Sequence, residues 1–577
     1  VRIRLLLLSG AALAVAALPA SAQTIGYGSS SEAATGSDSP AEDSSAQGDE
    51  AYGLPQGKKM PGTGRNGHRE KLKLQPYIEA AQVMTADLSP DHDVLTWTTL
   101  AAGVDGQIKN RSSEAAFSVR YQRTIGYGRA ADSGTLSGLV RGGTVIVPNT
   151  LSLEGGALAT RTTIGASGQS LPGGFKPGGS SRMWAAYAGP NLTTHAGPAA
   201  VNGYYRVGYT ELGNSTSITA NGAAASADLF DHSWVQSAGL HAGVGAGEVL
   251  PVGLGAGAAW YREDISNLAQ RVDDFTARAD ITVPVDTNLA LVGGVGWEKV
   301  EISSRDVLRD SSGAPVIGAD LRYVTDNSAP RQIAYESTGV IWDAGVTWRP
   351  SRRTALEAHV GWRYGGTTAY GSFGWMPNRR TIVNVSVYDS MSGIGGTINR
   401  ALVSLPSDFL AQRDPVTGDI NGCVVTLQPG ACVTGAFGSA RSATFRGRGV
   451  MASYSTQIGG FGTGLAGGYD NRKFIAAPGT ILASANGVID ETTWLSAWFN
   501  GRLGPRTTFG SYVFANWYHS GQVPNGDGTA FGVTGSLSHT FDQHLSANAA
   551  LSLYGLEREA AENTWNASAL VGMRYAF

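Results

Sequence analysis

The chain has 577 residues, 79 of them glycine, with charged residues at only 15% and a formal net charge of -3. Ordinary soluble chains carry about 25% charged residues and about 7% glycine. The slight negative balance excludes a nucleic-acid footprint, and a mean hydropathy of -0.09 excludes a chain that is greasy throughout. Sparse charge with abundant glycine and aromatic residues suits a β-barrel in a membrane.

Arg2 and Arg4 precede an apolar run over 5–18, and Ala20-Ser21-Ala22 follows as a small-x-small cleavage site. Residues 1–22 therefore read as a secretory signal peptide cut before Gln23. Beyond them no run of about 18 apolar residues occurs, so no spanning helix is expected. An exported chain of this kind is periplasmic, secreted or held in the outer membrane. Residues 23–70 are rich in Ser, Ala, Gly and acid, then turn basic at Lys58, Lys59, Arg65 and Arg69. They bury too little apolar surface to offset chain entropy. They read as a disordered periplasmic arm: a solvated linker, a docking tail or a partial lumen plug.

From residue 71 to 577, strands and turns alternate. Hairpins are expected for 95–109 with 114–128, 201–212 with 233–247, 289–302 with 338–349 and 508–519 with 531–541. One set of connections is short, as at Arg111-Ser112-Ser113, Pro148-Asn149-Thr150 and Asp542-Gln543-His544. The alternate set is longer, as at 165–181, 214–231, 306–335, 393–441 and 475–490. Short turns alternating with long loops are the pattern of an outer-membrane barrel, with turns periplasmic and loops outside. The expected fold is all-β: a transmembrane antiparallel barrel of about 22 strands, even in number because both ends are periplasmic. All thirteen tryptophans fall in expected strands, many near strand ends, as aromatic girdles require.

The stretch 339–388 shows the two-faced character most clearly. Val340, Trp342, Ala344, Val346 and Trp348 share one face, opposite Asp343, Gly345, Thr347 and Arg349. After a turn at Ser351-Arg352-Arg353, Leu356, Ala358, Val360, Trp362 and Tyr364 share one face, opposite Glu357, His359, Gly361 and Arg363. Successive strand side chains point to opposite sides, so a period of two is a strand signal. Apolar-out with polar-in gives a lumen-facing charge cluster of Asp343, Arg349, Glu357, His359 and Arg363, where permeating ions would pass.

In the last strand Ala569, Val571, Met573, Tyr575 and Phe577 share the apolar face. A terminal strand ending on an aromatic residue resembles the assembly signal of outer-membrane proteins. That implies the barrel-assembly machinery as a partner, with Val571, Met573, Tyr575 and Phe577 carrying the signal. The only two cysteines, Cys423 and Cys432, lie in the longest loop and read as a disulfide in an exported chain. Such a bond would stiffen a hairpin folded over the mouth or into the lumen, or merely order a surface loop. A short helix is expected within 397–412.

Gly462-Thr463-Gly464-Leu465-Ala466-Gly467 matches a dinucleotide fingerprint but lies inside a β array, without the strand-then-helix context such a site needs. No other motif points to a cofactor or a metal. A substrate-gated receptor would carry a large folded plug, and residues 23–70 are too short and polar to form one. His359 beside Glu357 could serve as a general base in an outer-membrane hydrolase. A lumen wall of complementary charges is the plainer reading, since no nucleophile is tied to that histidine.

The run Trp342-Asp343-Ala344-Gly345-Val346-Thr347-Trp348-Arg349-Pro350-Ser351-Arg352-Arg353-Thr354-Ala355-Leu356-Glu357-Ala358, with Gly361, Arg363 and Tyr364, resembles the outer-membrane β-barrel family associated with PEP-CTERM protein sorting and exopolysaccharide systems. The whole chain is also similar to a group of large barrels from Gram-negative bacteria. Some of these carry the label preprotein translocase subunit YajC, which implies a short protein with one spanning helix and does not fit this sequence. The resemblance implies an envelope location and polysaccharide-export components as partners, and it supplies no catalytic residues. The expected function is a pore or export-associated channel among outer-membrane lipid. The alternatives are a closed structural or surface-interaction barrel and, more weakly, a hydrolase.

Overall fold

The computed structural model describes residues 71–577 apart from 91, 165–169, 173–179, 214–227, 406–408, 426–438, 522–525 and 560. The signal-peptide and arm readings fall on residues outside this range. Twenty-two strands form a closed antiparallel barrel. In chain order they are β1 (Lys71–Ser89), β2 (Val94–Lys109), β3 (Ser113–Tyr127), β4 (Ser133–Val147), β5 (Leu151–Ile164), β6 (Ser181–Ala196), β7 (Ala199–Leu212) and β8 (His232–Val244). Then come β9 (Gly253–Ile265), β10 (Arg271–Pro284), β11 (Leu289–Ser304), β12 (Gln332–Ser351), β13 (Thr354–Arg363), β14 (Gly366–Asn378) and β15 (Thr381–Ser392). The last seven are β16 (Thr444–Ile458), β17 (Phe461–Ile475), β18 (Ile489–Arg502), β19 (Thr507–His519), β20 (Gly528–Thr540), β21 (Leu545–Arg558) and β22 (Ala561–Ala576).

Each strand pairs with its chain neighbours, and β22 pairs back onto β1 from Tyr77 opposite Ala576 to Ser89 opposite Trp565. The sheet therefore has no open edge. Tight connections such as 110–112, 148–150, 352–353 and 379–380 lie at one end, the turn end. The long connections 305–331, 393–443 and 476–488 lie at the other, the loop end. The expected hairpins all form, and the fingerprint-like glycines lie within β17.

The alternation sorts side chains between two walls. On β12 and β13, Val340, Trp342, Val360 and Trp362 stand exposed on the outer wall, while Asp343, His359 and Arg363 are buried on the inner one. The register places Trp342 opposite Trp362, Asp343 opposite Gly361 and Thr347 opposite Glu357. On β22, Val571, Met573, Tyr575 and Phe577 are all exposed outward, and the alternating Ser568 and Leu570 are buried inward.

Two sequence expectations need correction. Tyr364 does not continue the apolar face of β13. With Gly365 it forms a two-residue turn at the loop end, at φ 55° and 63°. Two consecutive positive φ values are what a tight hairpin between right-twisted strands requires, and the turn swings the tyrosine ring inward. The girdle reading also applies to only part of the tryptophan set. Trp184, Trp234, Trp297, Trp342, Trp362 and Trp517 face outward, whereas Trp97 and Trp494 are buried inside.

Val360 is 59% exposed on the outer wall. A Val360→Arg variant is expected to lose about 2–4 kcal/mol of stability if the site sits at the bilayer midplane. Heat-modifiable gel mobility of the membrane-inserted protein measures this as a reduced folded fraction.

Candidate functional site

A barrel of this strand number is too wide for its wall side chains to fill. The space is entered by the described part of the longest connection, 393–443. It leaves the top of β15 and begins with helix α1 (Ile394–Val403). The expected helix at 397–412 thus starts three residues earlier and ends sooner, before Leu405-Pro406, because a residue preceding proline is pushed out of helical conformation. Ile394, Ile398, Leu402 and Leu405 are buried against Leu158, Met183, Tyr187, Leu212 and Phe230 of the facing wall and its rim.

One carboxylate clamps the start of α1. Glu263 on β9 is fully buried and accepts hydrogen bonds from the Gly393 N–H at 2.7 Å and the Gly396 N–H at 2.9 Å. The Tyr261 hydroxyl donates to the same carboxylate at 2.7 Å. Free N–H groups and the helix dipole make a helix N-terminus a seat for an anion. The close approach demands glycine: a Cβ on Gly395 would collide with the Ser233 hydroxyl, and one on Gly396 with the Tyr261 hydroxyl.

Beyond α1 the loop forms a ribbon, Leu410–Arg413 against Ile420–Val425, that among the described residues pairs with itself and not with the wall. Side chains pin it instead. Arg161 on β5 reaches Asp419 with Nε 2.9 Å from each carboxylate oxygen. Arg413 donates to the Ser118 carbonyl at 3.0 Å on β3 and to the Ser137 hydroxyl at 2.6 Å on β4. Asp414 closes the ribbon turn by accepting from the N–H groups of Val416 and Thr417 at 2.9 and 2.8 Å. Its other oxygen accepts from the Tyr554 hydroxyl on β21. Burial pushes the Asp414 carboxyl up from its ordinary range, and the Tyr554 hydrogen bond pulls it back. Val416 is buried among Ala81, Val83, Trp97, Ala550 and Leu570. The loop therefore crosses from β15 to an arc of wall that includes β1–β8 and β20–β22.

The predicted charge cluster resolves into two groups of ion pairs and one outlier. His359 donates through Nδ1 to the Asp343 carboxylate at 2.9 Å, and its Nε2 lies 3.3 Å from Glu357. Asp343 also takes both Nε and NH2 of Arg278, at 2.7 and 2.8 Å. Arg278 reaches on to Asp280 at 3.3 Å, and Asp280 to His241 at 3.0 Å. The ring of Tyr370 stacks on His359 at 4.8 Å. Arg363 joins a different group nearer the loop end, with Asp274 at 2.7 Å and Glu298 at 3.0 Å. Arg349 belongs to neither. It lies exposed at the turn end of β12, six residues and about 20 Å of strand from Asp343. The polar face is continuous along the strand, but it leaves the lumen's middle before Arg349.

Cys432 and the side chain of Cys423 lie outside the described residues, so the disulfide expectation does not meet the structure. Sequence reasoning missed Glu263, Arg161, Arg413, Asp414 and Asp419. Only weak signals mark them: the run Gly393-Ile394-Gly395-Gly396 at the start of the loop, and Arg161 inside the otherwise uncharged 155–164.

An edgeless barrel with apolar side chains outside and paired charges inside is an outer-membrane protein, and lipid covers its outer wall. No family model and no curated protein sequence matches the chain. Among solved structures, the chain is similar to the FrpB iron transporter from Neisseria meningitidis at 10% identity, covering 87% of this chain and 82% of that one, with a TM-score of 0.42. It is similar to the ferric-catecholate import receptor Fiu from E. coli K12 at 10% identity, covering 87% and 81%, with a TM-score of 0.41. It is similar to Pseudomonas aeruginosa OpdQ at 8% identity, covering 88% and 99%, with a TM-score of 0.29.

Removing the Glu263 carboxylate should free α1 and leave the barrel folded. Losing hydrogen bonds to a charged group costs about 2 kcal/mol, roughly a thirtyfold change in a local opening equilibrium. Hydrogen exchange of the 394–403 amides should accelerate by that order in Glu263→Ala, with wall-strand amides unchanged.

Proposed function

We propose that this outer-membrane barrel is a transport channel whose aperture is set by the inward loop 393–443. One observation carries the reading: among the described residues, every hydrogen bond between the ribbon and the wall has a side chain on at least one side, and no backbone ladder joins the two. A segment pinned in this way can leave the wall without breaking the barrel. The charged inner wall supports a water-filled path beside it, since low-dielectric walls strengthen the field of such groups. The apolar seat of α1 favours a narrow resting aperture, and it is also what a closed structural barrel would show.

A catalytic role for His359 is poorly served by its surroundings. Both ring nitrogens face carboxylates, the ring is stacked on Tyr370, and among the described residues no nucleophile is bonded to it. Three further readings belong to this proposal. A Cys423–Cys432 bond would stiffen the far end of the ribbon. The outward face of β22 would present Val571, Met573, Tyr575 and Phe577 to the assembly machinery. The resemblance of 342–364 to exopolysaccharide-associated barrels supports polysaccharide-export components as partners.

Single-channel recording in a planar bilayer tests the aperture. The wild type should give small conductance steps, and a variant with 397–439 replaced by a short Gly-Ser linker should give larger ones. Current in neither protein would favour the closed barrel, and equal current in both would remove the loop from the aperture. In the same bilayer, Glu357→Gln should fold normally and shift the reversal potential in a salt gradient toward anions, because one negative charge leaves the lumen wall.

A further inference from the structure

Below the ribbon, toward the turn end, the lumen holds a cavity of about 390 Å³ that none of the preceding roles uses. Its roof is the ribbon turn, from Arg413 to Gly418. Two adjoining stretches of the wall that lines it differ in side-chain size. On β1, β3 and β22 the lining is large: Tyr77, Arg120 and Arg574. On β19–β21 the inward residues of the lining are small: Thr508, Gly510, Ser536, Ser538, Asn548 and Ala550. The volume is at the scale of pockets that take small ligands.

The large wall is rigid. Arg574 stacks over the Tyr77 ring at 3.5 Å and bonds Asp105 at 3.1 Å. Tyr77 in turn lies against Gly103, where a Cβ would come within 2.5 Å of the ring. Arg120 holds Glu79 with two nitrogens, at 2.8 and 3.1 Å. Arg413, in the roof, bonds hydroxyl and carbonyl oxygens of the wall and the ribbon. On the side of β18, Arg502 lines the cavity, and among the described residues its guanidinium has no hydrogen bond or ion pair. The cavity thus draws on four guanidinium groups, Arg120, Arg413, Arg502 and Arg574. The carboxylates in its lining are Glu79, already paired with Arg120, and Asp414, already bonded to Tyr554.

We infer that this cavity is a binding site for a small organic anion carrying carboxylate groups, with Arg502 as its principal contact and Arg574 as the second. Guanidinium forks match carboxylate geometry, and their hydrogen bonds to an anion are strong ones. Asn500, Ser536 and Asn548 supply neutral hydrogen-bonding groups for hydroxyl or carbonyl substituents. A ligand here would also lie against Arg413 and Pro415 of the ribbon, so the solute would touch the element that sets the aperture. The inference rests on the reading of the lumen as a solute path and names the class of solute.

Isothermal titration calorimetry of the folded barrel in detergent tests it, with citrate as probe and glucose as the neutral comparison. Citrate should bind and glucose should not. Arg502→Gln should weaken citrate about tenfold, the effect of losing one hydrogen bond to a charged group. Arg574→Gln should weaken it as well, while Lys299→Gln on the outer wall should not. Heat-modifiable mobility confirms that each variant is folded, and Arg502→Gln removes no bond within the described protein. Absence of citrate heat, equal binding of glucose, or citrate affinity unchanged in Arg502→Gln would overturn the site. The readout needs no current: a barrel that conducts but does not bind citrate overturns the site alone, and one that binds citrate but passes no current overturns the channel alone.

Discussion

Backbone N–H and C=O groups that face hydrocarbon must find partners inside the protein, since the bilayer core offers none. This chain meets that demand by bringing its last strand back to its first described one. β22 pairs with β1 along most of its length, and the Phe577 N–H donates to the Pro76 carbonyl at 3.0 Å to complete the seam. Closure separates two solvents. Once they are separated, each strand must alternate, and a one-residue slip would put arginine and aspartate into lipid.

Closure also leaves a lumen that wall side chains cannot span. The wall resolves its own charges locally: Arg363 sits between Asp274 and Glu298, and Asp343 between Arg278 and His359. Stripping one partner from such a buried pair leaves an uncompensated charge, at a cost of about 3–5 kcal/mol. The networks therefore hold the wall side chains against the barrel. The loop follows a different rule. It joins an apolar seat for α1 to a few charged pins, Glu263, Arg161 and Arg413, and the pins are what a displaced loop would have to release.

Glycine has a spatial role in this arrangement. Large inward side chains lie flat where a neighbouring strand offers no Cβ, as Tyr77 does on Gly103 and Trp494 on Gly468. Where small residues face small residues, as at Gly510 and Ser536, the wall recedes and the cavity opens. The shape of the lumen follows from this pairing of large with small across adjacent strands.

The sequence by itself determined the strands, their hairpins, the approximate strand number and the two faces. These properties are local: a period of two is visible within a few residues, and a turn announces itself in Asn, Asp, Gly and Pro. The outward set Val340, Trp342, Val360 and Trp362, and the terminal set Val571 to Phe577, were legible for that reason. The charges of 343–363 were legible as an inward face but not as networks. Arg363 finds its partners 89 and 65 residues upstream, and Asp343 finds Arg278 65 residues upstream. Only the tertiary structure decided that Arg349 stands apart, that Tyr364 turns inward and that loop 393–443 enters the lumen. The physical reason is distance along the chain. Whether Arg161 meets Asp419, or Glu263 meets Gly393, depends on how a curved sheet closes, and no short stretch of sequence carries that information.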